Sequence, residues 1–106
     1  MEFKRQPFIE KDINKLDPEK DINVCVLGRI IDIKENILVI DDGTGSVRVV
    51  LPEADKNLKT ENIIRVFGQL ISIRDEMEIR AEFYQKMDGL DFELYRKFRK
   101  LSDENV

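Results

Sequence analysis

Asp41-Asp42-Gly43-Thr44-Gly45-Ser46-Val47-Arg48-Val49-Val50-Leu51 decides the fold, because an acidic, glycine-containing turn here folds one apolar run back on another. Gly43 and Gly45 are free to take positive φ, and the side chains of Asp41, Asp42 and Thr44 are short enough to bond the turn's own backbone. Ile37-Leu38-Val39-Ile40 precedes the turn, and Val47-Arg48-Val49-Val50-Leu51 follows it. Two short apolar runs around such a turn predict a pair of strands buried on at least one face.

Working outward, the flanking stretches echo each other. Val26-Leu27-Gly28-Arg29-Ile30-Ile31-Asp32-Ile33-Lys34 aligns with Val66-Phe67-Gly68-Gln69-Leu70-Ile71-Ser72-Ile73-Arg74, glycine on glycine. A single pair of copies cannot stack into a solenoid, so the echo signals a shared geometric demand, a glycine bend at a barrel corner. Ile22 to Lys34 is apolar on both faces, as expected of a strand that serves two sheets, and Ile63 to Arg74 repeats the pattern. Beyond the turn at Asp75-Glu76, Met77, Ile79, Ala81 and Phe83 alternate with Glu78, Arg80, Glu82 and Tyr84. That period of two predicts a strand with Met77, Ile79, Ala81 and Phe83 facing the core and Glu78, Arg80, Glu82 and Tyr84 facing water or a polar partner. Glu35-Asn36 leaves a very short first loop, and Pro52 to Glu61 reads as a polar connector.

The order is a three-stranded meander, a connector and a hairpin. It predicts an all-β domain over 22–86, a five-stranded Greek-key barrel of the OB-fold type, followed by a C-terminal α-helix. An extended arm over 1–21 precedes the barrel, pinning Phe3, Phe8, Ile9, Ile13 and Leu16 onto it, although Phe3 and Phe8 beside Lys4 and Arg5 also suit base stacking. The C-terminal helix segment is 87–101, the helix itself running from about Gly89 to Leu101 with Asp88 as N-cap and Arg96, Lys97, Arg99 and Lys100 crowding the end that prefers cations. Leu90, Leu94, Phe98 and Leu101 share one stripe of it, and 102–106 is a frayed tail. So short a helix is marginal alone in water, so its own barrel or another chain must cover the stripe.

Composition narrows the function. The chain has 106 residues, one domain's worth, with 42% hydrophobic and 38% charged residues and a net charge of −4. Over 21–86 there are 9 basic and 12 acidic residues, so a strong, self-sufficient nucleic-acid binder is not expected. The chain has no histidine and only one cysteine, Cys25, which reads as a buried reduced thiol. This removes the commonest general base and metal ligand and any internal disulfide. Asp41 and Asp42 are adjacent and point apart, so capping the glycine turn accounts for them better than catalysis does. No enzyme and no cofactor are expected. No signal core or bilayer-length apolar run is seen, and the expectation is a soluble cytoplasmic protein without a membrane partner.

Gly28-Arg29-Ile30-Ile31-Asp32-Ile33-Lys34, Ile40-Asp41-Asp42-Gly43-Thr44-Gly45, Val66-Phe67-Gly68-Gln69-Leu70-Ile71 and a terminal helix opening at Asp88 together resemble the archaeal small subunit of replication protein A, over nearly the whole chain. The resemblance implies a heterotrimeric single-stranded-DNA-binding complex acting in replication, repair and recombination. In it the small subunit is mainly structural, its partners are larger OB-fold subunits, and assembly runs through C-terminal helices. Carried over, Leu90, Leu94, Phe98 and Leu101 form the partner surface, with Tyr95 at its margin. The alternative is that the stripe plugs its own barrel. On the usual OB binding face, the strand Leu38 to Ile40 has no aromatic platform and both bordering loops are short and acidic, which leaves Lys34, Arg48 and Arg74 as weak phosphate contacts. An independent single-stranded nucleic-acid binder and an OB-fold protein-interaction adaptor are the competing readings.

Overall fold

The computed structural model describes residues 7–87 and 89–104, with side chains as far as Leu101. The elements are β1 (Ile9–Glu10), a single 3-10 turn (Ile13–Lys15), β2 (Asn23–Lys34), β3 (Ile37–Asp41), β4 (Ser46–Val50), β5 (Ile63–Ile73), β6 (Glu76–Lys86) and α1 (Phe92–Glu104). The strands form one sheet in the order β1-β2-β3-β4-β6-β5, closed into a barrel where β5 pairs back onto β2. This is the OB-fold that the strand order predicts, with a short extra strand contributed by the arm.

Closure rests on the long β2. Its first half pairs with β5 from Asn23↔Gln69 to Arg29↔Ile63, and its second half pairs with β3 from Arg29↔Asp41 to Lys34↔Ile37. Val24 to Gly28 is buried on both faces, with Val24 and Val26 turned into the core. The other seam is parallel, Arg48↔Glu78 to Val50↔Arg80 between β4 and β6. Inside lie Val24, Val26, Ile30, Leu38, Ile40, Val47, Val49, Ile64, Val66, Leu70 and Ile79, with Ile13 and Leu16 of the arm joining them.

Two bulges alter the alternation read from sequence. Between β2 and β3 the register runs Ile30↔Ile40 and then Asp32↔Val39, so Ile31 is an extra residue and turns outward. Between β5 and β6 it runs Phe67↔Phe83 and then Gly68↔Ala81, so Glu82 is extra. A bulge reverses which side of the sheet the following residues face. Phe83, expected in the core, is 47% exposed, and Tyr84, expected outside, packs against the core instead.

The two echoed glycines share close backbone approach rather than a common bend. A Cβ at Gly68 would lie 2.8 Å from the Ala81 Cα, directly beside the bulge, whereas one at Gly28 would press 3.1 Å from the Asp41 carbonyl oxygen with the bulge further along.

The central turn does more than reverse the chain. Gly43 takes φ +90 and Gly45 does not adopt positive φ. The Gly43 N–H donates to Asp41 Oδ1 at 2.7 Å and the Thr44 N–H to Asp42 Oδ1 at 2.9 Å, as the turn chemistry predicts. The second oxygen of Asp42 accepts from the Ile13 N–H at 2.8 Å, and Thr44 Oγ1 accepts from the Asn14 N–H at 3.2 Å. Asp42 is thereby buried with its hydrogen bonds satisfied, and it fixes the arm to the barrel.

Candidate partner and nucleic-acid surfaces

The helix begins later than its stripe suggests. Gly89 takes φ +80, which an α-helix cannot accommodate, and the first helical residue is Phe92. Asp91 caps it, its Oδ1 accepting from the Leu94 N–H at 3.0 Å. The predicted cap, Asp88, lies outside the described residues. Leu90 therefore precedes the helix and is half-buried, and the helix runs on to Glu104 through part of the expected tail.

Phe92, Tyr95, Arg96 and Arg99 fall on the helix face that meets the barrel. Phe92 is 8% exposed, with the Arg29 guanidinium 5.7 Å from its ring centroid. Tyr95 Oη donates to Glu10 Oε1 at 2.6 Å. Arg96 donates to Asp12 Oδ1 at 2.9 Å and Arg99 to the same oxygen at 3.3 Å, while Arg96 also stands 4.0 Å from Asp42 Oδ2. The seat of the helix is thus a carboxylate row supplied by the arm and the central turn. Tyr95, placed by the sequence at the margin of the apolar stripe, belongs to this inner face.

The electrostatics follow from the geometry. Burial alone would raise the Asp12 pKa, but the Arg96 hydrogen bond and the charges of Arg96 and Arg99 outweigh it and hold it below the usual carboxylate value. Burial, followed by the bond to Glu10, pushes Tyr95 up to about 12. Burial, then the nearby Glu10, pushes the Cys25 thiol up to about 11, so it stays protonated and inert near neutrality.

On the opposite face Leu94 is 50% exposed, Phe98 65% and Leu101 56%. Spacings of four and three residues place them on one side of the helix. The stripe does not plug the barrel; among the described residues of the terminal segments, Ile13 and Leu16 of the arm join the core and Phe92 is buried on the other side of the helix.

Of the three cations proposed for phosphate, Arg48 and Arg74 meet. They line one groove of about 420 Å³ with Ile73, Glu76, Met77 and Glu78. Lys34 is not part of it: it stands exposed at the far end of β2, paired in register with Ile37. The bordering loops are tight, with Glu35 at φ 58, Arg74 at φ 52 and Asp75 at φ 66, so neither is long enough to fold over a strand.

Sequence reasoning missed an aromatic cluster elsewhere on the outer surface. Phe67 and Phe83 stack with centroids 4.5 Å apart, and Phe8 of the arm packs edge-on against both, at 5.5 and 5.6 Å. Phe8 thus anchors the arm and adds its ring to a surface feature. The register Phe67↔Phe83 was readable only once the bulge at Glu82 was known.

Among the described residues no group of histidine, cysteine and carboxylate side chains is arranged to hold a metal, and no helix is long and apolar enough to cross a membrane. No protein-family model matches the chain, and no curated protein matches it. Solved structures do. The chain is 28% identical to a chain of the S. pombe Stn1-Ten1 complex, covering 79% of this chain and 72% of that one with a TM-score of 0.60. Telomere capping protein Ten1 from S. pombe is 21% identical over 92% of this chain and 99% of that one, with a TM-score of 0.68. Replication protein A of U. maydis bound to ssDNA is 15% identical over 95% and 94%, with a TM-score of 0.70. At the last two identities the likeness is one of fold, in keeping with the OB barrel of this chain.

Proposed function

We infer that the chain is a non-enzymatic OB-fold subunit of a replication-protein-A-like assembly on single-stranded DNA, acting in replication and repair and joining larger OB subunits of a heterotrimer through the outer face of α1. The observation that carries this reading is the orientation of the helix. Its charged and aromatic face is satisfied by its own barrel, and its apolar face, Leu94, Phe98 and Leu101, is left to solvent. A rigidly seated helix with an uncovered apolar stripe is preorganised for a second helix, which lowers the ordering cost of association. Neighbours of the same fold whose names describe complexes, Stn1-Ten1 and replication protein A on ssDNA, support an assembly role.

Direct contact with DNA is expected to be weak. Arg48 and Arg74 share their groove with Glu76 and Glu78, so the attraction for phosphate is largely offset. The test is the mass of the native complex purified from its source, with larger OB-containing chains identified in it. Replacing both Leu94 and Phe98 by aspartate is expected to release the chain from that complex as a folded monomer. A native mass equal to one chain would overturn the reading. Tight binding of oligo-dT by the lone chain, with a steep salt dependence, would favour an independent binder instead, and recovery of partners unrelated to nucleic acid would favour an adaptor.

A further inference from the structure

We propose that a single strand of nucleic acid in the Arg48–Arg74 groove continues along the outer face of β6, past Arg80, and stacks a base on the ring of Phe83. This rests on the reading of the chain as part of an assembly on single-stranded DNA. It adds an uncharged contact at a place the two short loops do not reach.

The ladder supplies the path. Arg48 lies beside Glu78 and Val50 beside Arg80 across the β4–β6 seam, so Arg48 and Arg80 project from neighbouring strands on the outer side. On β5, Gln69 stands beside Arg80 and Phe67 beside Phe83. At ~3.3 Å per residue, Glu78 and Phe83 are separated by roughly 15 Å along the strand, a distance that a few nucleotides of extended chain span. The bulge at Glu82 is what brings Phe83 to this side. Without it the ring would point into the core, and the path would end at Arg80.

Charge explains why such a contact is needed. Arg80 Nε sits 3.5 Å from Glu78 Oε2, and Glu76 and Glu78 line the groove with Arg48 and Arg74, so the cations are nearly balanced by carboxylates. A strand held only through its phosphates would gain little and would lose that little to salt. Ring stacking depends on neither charge nor salt.

Size separates a base from a protein partner. A phenylalanine offers about 150–250 Å² in all, so the exposed half of Phe83 amounts to roughly 100 Å². With Phe67 stacked on one face of the ring, this matches one stacked base. It falls far short of the ~800 Å² per partner of a stable protein interface, even with the half-exposed Ile9 of the edge strand counted in. Phe67 against one side of the ring and the edge of Phe8 hold Phe83 in place, so little side-chain freedom remains to be lost when a base arrives.

The experiment titrates the full chain with labelled oligo-dT and oligo-rU at low and moderate salt. Phe83→Ala is expected to weaken binding by about fivefold or more while leaving the salt slope unchanged, whereas Arg48→Ala should flatten the slope. The chain contains no tryptophan, so Phe83→Trp introduces a lone indole whose emission should be quenched as the oligonucleotide saturates. Because a stack reads the base and not the sugar, both polymers should respond, and a loss confined to one names that polymer as the ligand. Wild-type affinity in Phe83→Ala beside a weakened Arg48→Ala would sink the stacking contact and spare the assembly reading. Unchanged indole emission at saturation would also sink it. So would a change in the mass of the free chain without a change in oligonucleotide binding, which would make the cluster a self-association face. Should the wild-type chain bind neither polymer, the contact falls, while the assembly reading still stands or falls on the native mass.

Discussion

The barrel and the helix solve the problem of solubility in opposite ways. The barrel turns most of its aliphatic side chains inward, with Ile30, Ile40, Ile64, Val66 and Ile79 fully buried, and leaves only scattered ones such as Ile31 and Ile73 half-exposed. The helix turns its arginines inward, against Asp12 and Glu10, and shows Leu94 and Phe98 to water. The first arrangement stabilises by removing apolar area from water, at about 25 cal/mol per Å². The second stabilises through a few charge-assisted hydrogen bonds and leaves apolar area for something else to bury. A region stabilised by its own burial suits a scaffold, and one held by Phe92 and a few polar contacts with its outer apolar side uncovered suits the connector role proposed above.

The sharpest way to break the comparison is in the barrel. Ile79→Ala should cost about 2–5 kcal/mol in urea unfolding, since a fully buried side chain leaves a cavity. A loss below ~1 kcal/mol would show that the barrel is less tightly packed than described. The next largest effect belongs to the seat of the helix. Asp12→Ala leaves two arginines without their shared acceptor and should destabilise helix docking by about 1.5–3 kcal/mol, the range for hydrogen bonds to charged groups. Hydrogen exchange over 92–104 should rise while exchange in β2 and β5 stays slow. Equal acceleration in both would mean that helix and barrel form one cooperative unit.

Ionisation sharpens the contrast further. The Asp12 pKa is lowered in the folded state, so its contribution is complete above the ordinary carboxylate value and disappears only as pH falls through the lowered one. Helix docking should therefore be unchanged between pH 7 and 5 and weaken in stronger acid, as followed by near-ultraviolet dichroism. Tyr95 shifts the other way. Its stabilisation is present below pH ~10 and lost as pH rises towards about 12. Tyr84, whose hydroxyl donates to Asp55, is also pushed up to about 12. Both of the chain's two tyrosines should thus ionise late in an ultraviolet titration, and Asp12→Ala should bring only Tyr95 forward. The smallest effect is expected at the outer stripe, where Phe98→Ala should change monomer stability by no more than about 0.5 kcal/mol. A larger loss would place Phe98 in the folding of the monomer and remove it as a connector.

Legibility in the sequence followed the same division. The strands were readable because period-two patterning and turn residues act over a few positions, and the turn at Asp41 to Gly45 announced itself through residue chemistry. What escaped were features set by pairing at a distance. Ile31 and Glu82 are bulged only because of what lies opposite them, and Phe83 changes sides as a consequence. Asp42 advertised a self-capped turn, yet its second oxygen holds the arm at Ile13. The apolar stripe of the helix was visible, but the face that docks was not, because Arg96 and Arg99 look like ordinary solvated charges until Asp12 is set beneath them. Arg48 of β4 and Arg74 of the β5–β6 turn come together because the β4–β6 seam, which no local pattern encodes, brings that turn beside β4.

Asp12 and Arg96 are 84 positions apart in the chain, and this gives their clasp a direction in time. During synthesis Asp12 is made well before Arg96 and Arg99, with β2 to β6 made in between. Leu94 and Phe98 are thus made only after every residue of β2 to β6. The newborn chain therefore cannot seat its helix until the barrel strands exist, and docking of α1 is a late step of folding rather than its nucleus.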